Sequence, residues 1–335
     1  MLAGAATAAL LLPVSPAGAV RATPQRPDSG SAGTGLGIRI LDVPAARVQD
    51  PRALSYIVDY LNPGTTIHRR LEINNDSPDP QHVELYAGAA SVVDNTFTAA
   101  DGRLGNDLST WVSLDSASVD LAPGATRDIL ATIAIPSTAS KGERYAAVWA
   151  QIAKAATAGN SVGQINRVGI RMYLDVGPGG EPPTDFEIGA MTVARGGGQW
   201  PVVTAQVHNT GGRALDMSGS LSMSNADGSV KAGPFKATTG VTILPGNTAP
   251  VNVALDKSLP DGTWNAQLTL TSGTVQRTRS GTFTLPVPGS AETVKPAALS
   301  RTMLALAIAA AVVLVALLLL LARYLIRRRR PPLGA

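Results

Sequence analysis

Side chains that commonly perform chemistry are scarce in this chain of 335 residues. It contains no cysteine and three histidines, His68, His82 and His208. The absence of cysteine excludes a thiolate metal site, a cysteine nucleophile and a disulfide framework. His68 and His82 flank one turn region and offer two metal ligands, but a metal site needs three or four. We therefore interpret them as unrelated surface histidines and predict no metal site and no cofactor.

Two loops are rich in the side-chain oxygens that calcium prefers. The first loop holds Asn74, Asn75, Asp76 and Asp79, and the second holds Asp94, Asp101, Asn106 and Asp107. Neither loop has EF-hand spacing, and asparagine and aspartate also stabilise turns through their own side chains. No zinc-binding helix, phosphate loop or dinucleotide motif occurs in residues 23–300. The sequence therefore predicts a protein that is not an enzyme, with a calcium loop as the alternative interpretation of these clusters.

Aromatic rings are the remaining candidates for ligand contact, because sugars stack on exposed rings. The chain has 4 Phe, 4 Trp and 6 Tyr. Trp111 follows an irregular stretch and Tyr86 lies in a strand-like segment, so both are candidates for contact with a glycan. Tyr145 and Trp149 lie four positions apart on one predicted strand and therefore on one face. Packing between sheets is the favoured interpretation for all of these rings, and contact with a glycan is the alternative for Trp111 and Tyr86.

The elements that position these residues lie between two apolar terminal segments. Residues 1–22 predict a signal peptide, because an apolar run leads to the small-residue pattern Ala17-Gly18-Ala19; an uncleaved anchor is the alternative. Met303 to Ala322 form an uninterrupted apolar stretch whose helical length, about 30 Å, matches the hydrocarbon core of a bilayer. The sequence therefore predicts one C-terminal transmembrane helix.

The distribution of charge predicts the orientation of that helix. Five arginines follow it and form a stop-transfer tail: Arg323, Arg327, Arg328, Arg329 and Arg330. The positive-inside rule then places the C-terminus in the cytoplasm and the N-terminal ectodomain outside the cell membrane. The chain carries a net charge of +4, but residues 23–300 alone carry −3. Nucleic acid is therefore not an expected partner.

Residues between the ends predict an all-β protein. Ile67, Leu71 and Ile73 fall at period two, and similar alternation recurs between turn signals such as Pro63-Gly64 and Pro123-Gly124. A run rich in glycine and proline, Val176 to Pro183, predicts a domain boundary. We expect two tandem immunoglobulin-like β-sandwiches. Their limits are a lead-in at 23–36, the first sandwich at 37–177, a linker at 178–183, the second sandwich at 184–287, a linker at 288–302, the transmembrane helix at 303–322 and a basic tail at 323–335.

The two predicted sandwiches share an ordered set of local patterns. A strand ends in Asn75 in the first and in Asn209 in the second. A Pro-Gly turn follows in each, at 123–124 and at 245–246, and a glycine then precedes an aromatic strand residue. We interpret this order as an internal structural repeat, although turns of this kind also recur in unrelated sandwiches.

Residues about 38–153 resemble the peptidoglycan-binding domain of WxL-interacting proteins. The matching positions are Pro63-Gly64, Arg70–Asn74, Val83–Tyr86, Ala89, Phe97, Trp111, Leu121–Gly124, Ile135-Pro136, Gly142 and Tyr145–Ala147. The resemblance implies a membrane-tethered surface protein whose outer domain contacts peptidoglycan. The family's second domain binds a partner protein, and residues 184–287 do not clearly match it.

The functional expectation is a membrane-anchored protein of the bacterial envelope that binds peptidoglycan or a wall-associated partner. Its expected partners are a cell-wall glycan, a secreted surface protein, and the lipid bilayer through one helix. The alternative is a structural spacer or adhesin-like subunit that presents its sandwiches to another protein.

Overall fold

The computed structural model describes residues 35–154, 163–195, 200–238, 240–285 and 290–296, which form two units built mostly of β-strands. The predicted signal peptide, transmembrane helix and basic tail lie outside these residues, as does the lead-in up to residue 34. The helices that are described have at most five residues, so none of them has the length or the apolar character to cross a bilayer. The all-β prediction is confirmed for this part of the chain.

The first unit contains ten strands and three short helical turns. The strands are β1 (Leu36–Ile40), β2 (Ile57–Leu61), β3 (Thr66–Asn75), β4 (Gln81–Val93), β5 (Thr96–Ala99), β6 (Val112–Leu114), β7 (Ser118–Leu121), β8 (Thr126–Ala134), β9 (Gly142–Lys154) and β10 (Gln164–Val176). The helical turns are a 3₁₀ turn (Ala45–Arg47), α1 (Pro51–Ser55) and α2 (Asp107–Thr110).

These strands form two sheets packed face to face. One has the order β1-β3-β8-β6, and the other has the order β2-β10-β9-β4-β5 with β7 also paired to β4. Alternation along β9 sends Val148, Ala150 and Ile152 into the space between the sheets. There they meet Ile73 and Ile129 from the four-stranded sheet. The other face of the six-stranded sheet points away from this core and bears the candidate site.

The second unit contains eleven strands in three sheets. They are β11 (Phe186–Arg195), β12 (Pro201–Asn209), β13 (Leu215–Asp216), β14 (Ser218–Asn225), β15 (Lys231–Lys236), β16 (Thr242–Ile243), β17 (Thr248–Ala254), β18 (Thr263–Ser272), β19 (Val275–Thr284), β20 (Ser290–Thr293) and β21 (Lys295–Pro296). The sheet orders are β17-β12-β11-β20, β13-β16 and β15-β14-β18-β19-β21. Trp264, Phe186 and Phe283 are almost fully buried in one core between the two larger sheets.

The C-terminal limit of the second unit differs from the prediction. Residues 290–296 fall in the predicted linker 288–302, yet β20 pairs with β11 and β21 pairs with β19. Val294 between them is only 4% exposed and packs in the second core. This segment has the polar composition of a linker because only one of its side chains, that of Val294, points into the core.

The repeated asparagines make equivalent contacts in the two units. In the first unit, Asn75 Nδ2 donates to the Leu121 carbonyl (3.1 Å), and the Asn75 carbonyl accepts from Gly124 N–H (2.8 Å). In the second, Asn209 Nδ2 donates to the Ile243 carbonyl (2.8 Å), and the Asn209 carbonyl accepts from Gly246 N–H (3.0 Å).

Each of these asparagines also accepts, through its side-chain oxygen, the backbone N–H two residues later, from Ser77 and Gly211 respectively. Both asparagines are fully buried. The predicted sequence repeat therefore corresponds to a repeated structural motif, in which a buried asparagine at the end of a strand is hydrogen-bonded to a Pro-Gly turn. The loop that suggested calcium ligands uses Asn75 for this purpose.

Candidate functional site

The outward face of the six-stranded sheet carries a row of aromatic side chains. Tyr86 on β4 lies directly opposite Trp149 on β9, and Tyr145 on β9 lies opposite Tyr173 on β10. These positions alternate with the inward-facing core residues of the same strands. Tyr145 and Trp149 therefore share a face, as predicted, but that face lies outside the sandwich.

Trp149 lies across its two neighbouring strands because both of them have glycine beside it. A Cβ at Gly169 would lie 2.5 Å from Cε3 of the indole, and one at Gly88 would lie 3.1 Å from Nε1. Contacts this close leave no room for a side chain at Gly169 and little at Gly88. Glycine inside a strand often marks such a close approach. The two glycines therefore let the half-buried indole lie against the sheet.

A chain of hydrogen bonds fixes the polar groups next to this ring. The Tyr86 hydroxyl donates to Gln151 Oε1 (2.8 Å), and Gln151 Nε2 donates to Glu84 Oε2 (3.1 Å). Arg103 Nη2 donates to the same carboxylate oxygen (2.8 Å), and its guanidinium lies 4.4 Å from the centre of the Tyr86 ring. The Glu84 carboxylate only accepts hydrogen bonds, so Gln151 presents Nε2 to it and Oε1 to the Tyr86 hydroxyl, which determines the amide orientation of Gln151.

Arg167 covers the outer side of Trp149. Its guanidinium carbon lies 4.6 Å from the centre of the indole, a cation–π distance. Its two hydrogen bonds, to the carbonyls of Gly102 and Ala100, are both 3.4 Å long. We call the group of Glu84, Tyr86, Arg103, Trp149, Gln151 and Arg167 the aromatic platform.

The second unit covers the other end of the same face. Phe97, Tyr145 and Tyr173 pack together with ring centroids 5.2 to 6.4 Å apart. Ala214 and Leu244 of the second unit belong to this cluster. The rings at this end thus form a core between the units. The run at 178–183 accordingly joins two units in contact.

Buried charges surround that core. Arg52 is 6% exposed, and its Nε lies 3.1 Å from Asp216 Oδ2 while its Nη1 donates to the Ala214 carbonyl (3.0 Å). Asp216 Oδ1 also accepts from the Tyr173 hydroxyl (2.8 Å) and the Thr242 hydroxyl (2.7 Å). The first unit therefore holds the second through a buried ion pair, in which Arg52 Nε and Asp216 Oδ2 lie close without a hydrogen bond while other atoms of both side chains are hydrogen-bonded.

Glu143 is a second buried contact between the units. Its Oε2 accepts the Ala214 N–H (2.6 Å) and the Tyr145 hydroxyl (2.9 Å). Burial raises the pKa of the Glu143 carboxyl above its ordinary value, and these two hydrogen bonds offset the rise only in part. Burial likewise raises the pKa of Tyr145, and the neighbouring Glu143 charge adds to that effect.

A raised pKa at Glu143 predicts a specific dependence of stability on pH. The contribution of Glu143 to the free energy of unfolding is fully present below the unfolded pKa of about 4.3. It is lost as the pH rises through the higher pKa of the folded state. Glu143→Gln keeps an oxygen acceptor and cannot ionise. We expect the melting temperature of this variant, measured relative to that of the wild type, to increase as the pH rises from about 4.5 to about 8. A constant difference across this range, or one equal to that of the exposed Glu187→Gln control, would contradict the assignment.

A cleft of about 560 Å³ lies beside this interface, and its charged side chains form ion pairs, although Arg213 Nε and two nitrogens of Arg52 make no hydrogen bond. Arg47 pairs with Glu181 at 2.8 Å, and Arg213 contacts the same carboxylate. Asp59, whose pKa burial raises, pairs with Arg69 at 2.7 Å. Glu181 belongs to the predicted linker, so that segment is fastened at the interface. The cleft is therefore a weaker candidate for ligand binding than the aromatic platform.

The structure separates the two residues predicted to contact a glycan. Tyr86 is in the platform but is only 8% exposed, because Arg103 covers it. Trp111 is half-buried against the first core, with the Arg144 guanidinium 5.0 Å from its ring centre. Trp111 is the C-cap of α2 and packs against the core, which agrees with the interpretation of these rings as packing residues.

The two histidines that were considered as metal ligands, His68 and His82, are not brought together. His82 Nδ1 lies 2.7 Å from Asp120, whereas His68 Nδ1 lies 3.0 Å from the Thr132 hydroxyl. Within the described ranges, no three His, Asp or Glu side chains are grouped as metal ligands. Asn106 of the second acidic loop caps α2 by accepting from Ser109 N–H (3.0 Å).

Sequence analysis missed Trp149 and Arg167 as site residues. The signal available was a glycine in the middle of each neighbouring strand, Gly88 and Gly169, with no turn nearby. These glycines identify Trp149 as a site residue only once the strand register is known, because the register places both of them beside this tryptophan.

Comparisons with known proteins give distant similarities only. No family model matches the chain, and no curated protein matches it. Among solved structures, the chain is similar to the Escherichia coli chaperone DraB, with 10% identity, a TM-score of 0.38 and coverage of 73% of this chain and 98% of that one. It is also similar to a Salmonella enterica SafA pilin–SafB chaperone structure, with 9% identity, a TM-score of 0.39 and coverage of 73% and 95%. The class 5 fimbriae chaperone CfaA gives 12% identity, a TM-score of 0.32 and coverage of 78% and 100%. At these TM-scores the similarities support no inference about ligand or partner.

Proposed function

We propose that this chain is a non-catalytic protein of the bacterial cell surface whose first unit binds peptidoglycan or another cell-wall glycan. The observation that supports this most is the indole of Trp149 lying against Gly88 and Gly169 beside Tyr86. Sugars present apolar C–H faces, which would pack on the part of the half-buried indole that Arg167 leaves exposed, and hydroxyls that need fixed hydrogen-bonding partners. Glu84 and Gln151 supply those partners at the edge of the rings.

In the proposed arrangement, both units are immunoglobulin-like β-sandwiches outside the cell membrane. The apolar residues 303–322 anchor them as a single transmembrane helix, and the arginine-rich residues 323–335 stop transfer on the cytoplasmic side. The resemblance to WxL-interacting proteins gives the first unit the same role. A secreted surface protein is a further partner in this arrangement.

A spacer or adhesin-like subunit is the second candidate function. The observation that favours it is the buried contact of Arg52 with Asp216, which holds the two units together. Such a pair of units would project a partner-binding surface away from the membrane without contacting a glycan itself.

Replacing Trp149 with alanine tests the first candidate directly. We expect the affinity of the full chain, in detergent micelles, for purified peptidoglycan to fall at least about tenfold, because a central aromatic anchor is removed. Co-sedimentation at several salt concentrations measures this. The matched control is Trp200→Ala, which removes a tryptophan that is 52% exposed in the second unit.

Equal loss of binding in both variants would contradict a site at Trp149. Absence of wild-type co-sedimentation at every salt concentration would leave the spacer function as the better explanation.

A further inference from the structure

Arg167 differs from the other charged residues around the aromatic platform because it lacks an acidic partner. Within the described part of the chain, neither Glu84 nor Asp101 forms an ion pair with it. Glu84 is engaged by Arg103 and Gln151 instead. The guanidinium is thus held by stacking on Trp149 and by two long hydrogen bonds to carbonyls.

In this arrangement the Arg167 guanidinium is held in a fixed orientation and has N–H donors that can bind an anionic ligand. Stacking fixes the plane of the group, and its planar fork of N–H donors matches the two oxygens of a carboxylate or phosphate. An arginine that is half-buried and stacked also loses less side-chain entropy on binding than a freely moving one.

We propose that the ligand of the aromatic platform is an anionic glycan, whose carboxylate or phosphate pairs with Arg167 while a sugar ring packs on the part of the Trp149 indole that Arg167 leaves exposed. This rests on the proposed function, since it names the chemical class of ligand for the same site. Two wall polymers supply this chemistry: a peptide-bearing disaccharide with free carboxylates, and a glycerol-phosphate chain.

The test uses the full chain in detergent micelles and isothermal titration calorimetry. The probes are a soluble disaccharide–peptide fragment of peptidoglycan, the same fragment with its carboxyl groups amidated, and a short poly(glycerol phosphate). We expect the wild type to bind an anionic probe at least about tenfold more tightly than the amidated fragment. The better anionic probe identifies the source of the charge.

Arg167→Gln should remove this discrimination, so that the anionic and amidated fragments bind with equal affinity. The matched control is Arg127→Gln, which removes another exposed arginine without an ion pair, from β8 on the four-stranded sheet. Discrimination that persists in Arg167→Gln would overturn the assignment of Arg167.

The outcomes also separate this inference from the proposed function. If the wild type bound neither the free fragment nor poly(glycerol phosphate) more tightly than the amidated fragment, the anionic ligand would be overturned and glycan binding would remain intact. Failure of the wild type to bind any of these probes or peptidoglycan itself would overturn both.

Discussion

Arg52→Ala is expected to lower the free energy of unfolding by up to about 3–5 kcal/mol, because it removes the nearer cationic partner of the buried Asp216 carboxylate and leaves Arg171, whose Nη1 lies 4.0 Å from Asp216 Oδ1. The change also removes a guanidinium that lies 4.8 Å from the centre of the Tyr173 ring and a hydrogen bond to the Ala214 carbonyl. All three contacts involve the interface between the units. We therefore expect a calorimetric transition shared by the units in the wild type to separate into two.

The matched control for Arg52→Ala is an exposed arginine in an ion pair of similar geometry. Arg39 Nε lies 2.7 Å from Glu72 Oε1, but the Arg39 side chain is 56% exposed. Exposed ion pairs contribute about 0–1 kcal/mol. Arg39→Ala should accordingly leave the transition nearly unchanged. Equal melting temperatures for the two variants would show that burial at the interface does not determine the energy of the ion pair.

Asn209→Ala is expected to destabilise the second unit by about 3 kcal/mol, since three hydrogen bonds to backbone groups disappear together. The side chain donates to the carbonyls of Arg213 and Ile243, both at 2.8 Å, and accepts the Gly211 N–H at 2.9 Å. The contacts with the two carbonyls are buried, so each of these losses includes the penalty of an unpaired buried polar atom, whereas the Gly211 contact is only partly buried. Chemical denaturation followed by the fluorescence of Trp264 measures the effect within the second unit.

Asn265→Ala is the control for this change. Asn265 is exposed and makes one weaker hydrogen bond, at 3.3 Å to the Asn225 carbonyl. Its replacement should change the free energy of unfolding by no more than about 0.5 kcal/mol. A similar loss in both variants would contradict the fastening role of Asn209, and with it the equivalence to Asn75.

The strands and their turns were predictable from sequence because the signals are local. Alternation at Ile67, Leu71 and Ile73 corresponds to β3, and the Pro-Gly pairs correspond to turns after the fastened asparagines. Side chains on alternating faces and glycine at positive φ depend on neighbours only a few residues away. The repeated order of these signals was likewise readable before the fold was known.

The face of the sheet on which each aromatic side chain lies depends on the pairing of strands that are far apart in the sequence. Tyr86 meets Trp149 only because β4 and β9 align in one register, and a shift of one residue would turn either ring to the opposite face. The partial burial of Trp111 depends on distant pairing for the same reason, since the core that it packs against is built from strands far along the chain.

The sequence by itself determined a β-rich chain with a boundary near 178–183 and a repeated asparagine-and-turn device. Tertiary structure alone decided that Arg52 reaches Asp216, that residues 290–296 complete the second unit, and that Arg167 covers Trp149 without an acidic partner. The physical reason is that strand formation follows from local alternation and turn chemistry. Ion pairs and ring contacts require segments separated by many residues to be brought within a few ångströms, and no local pattern specifies that approach.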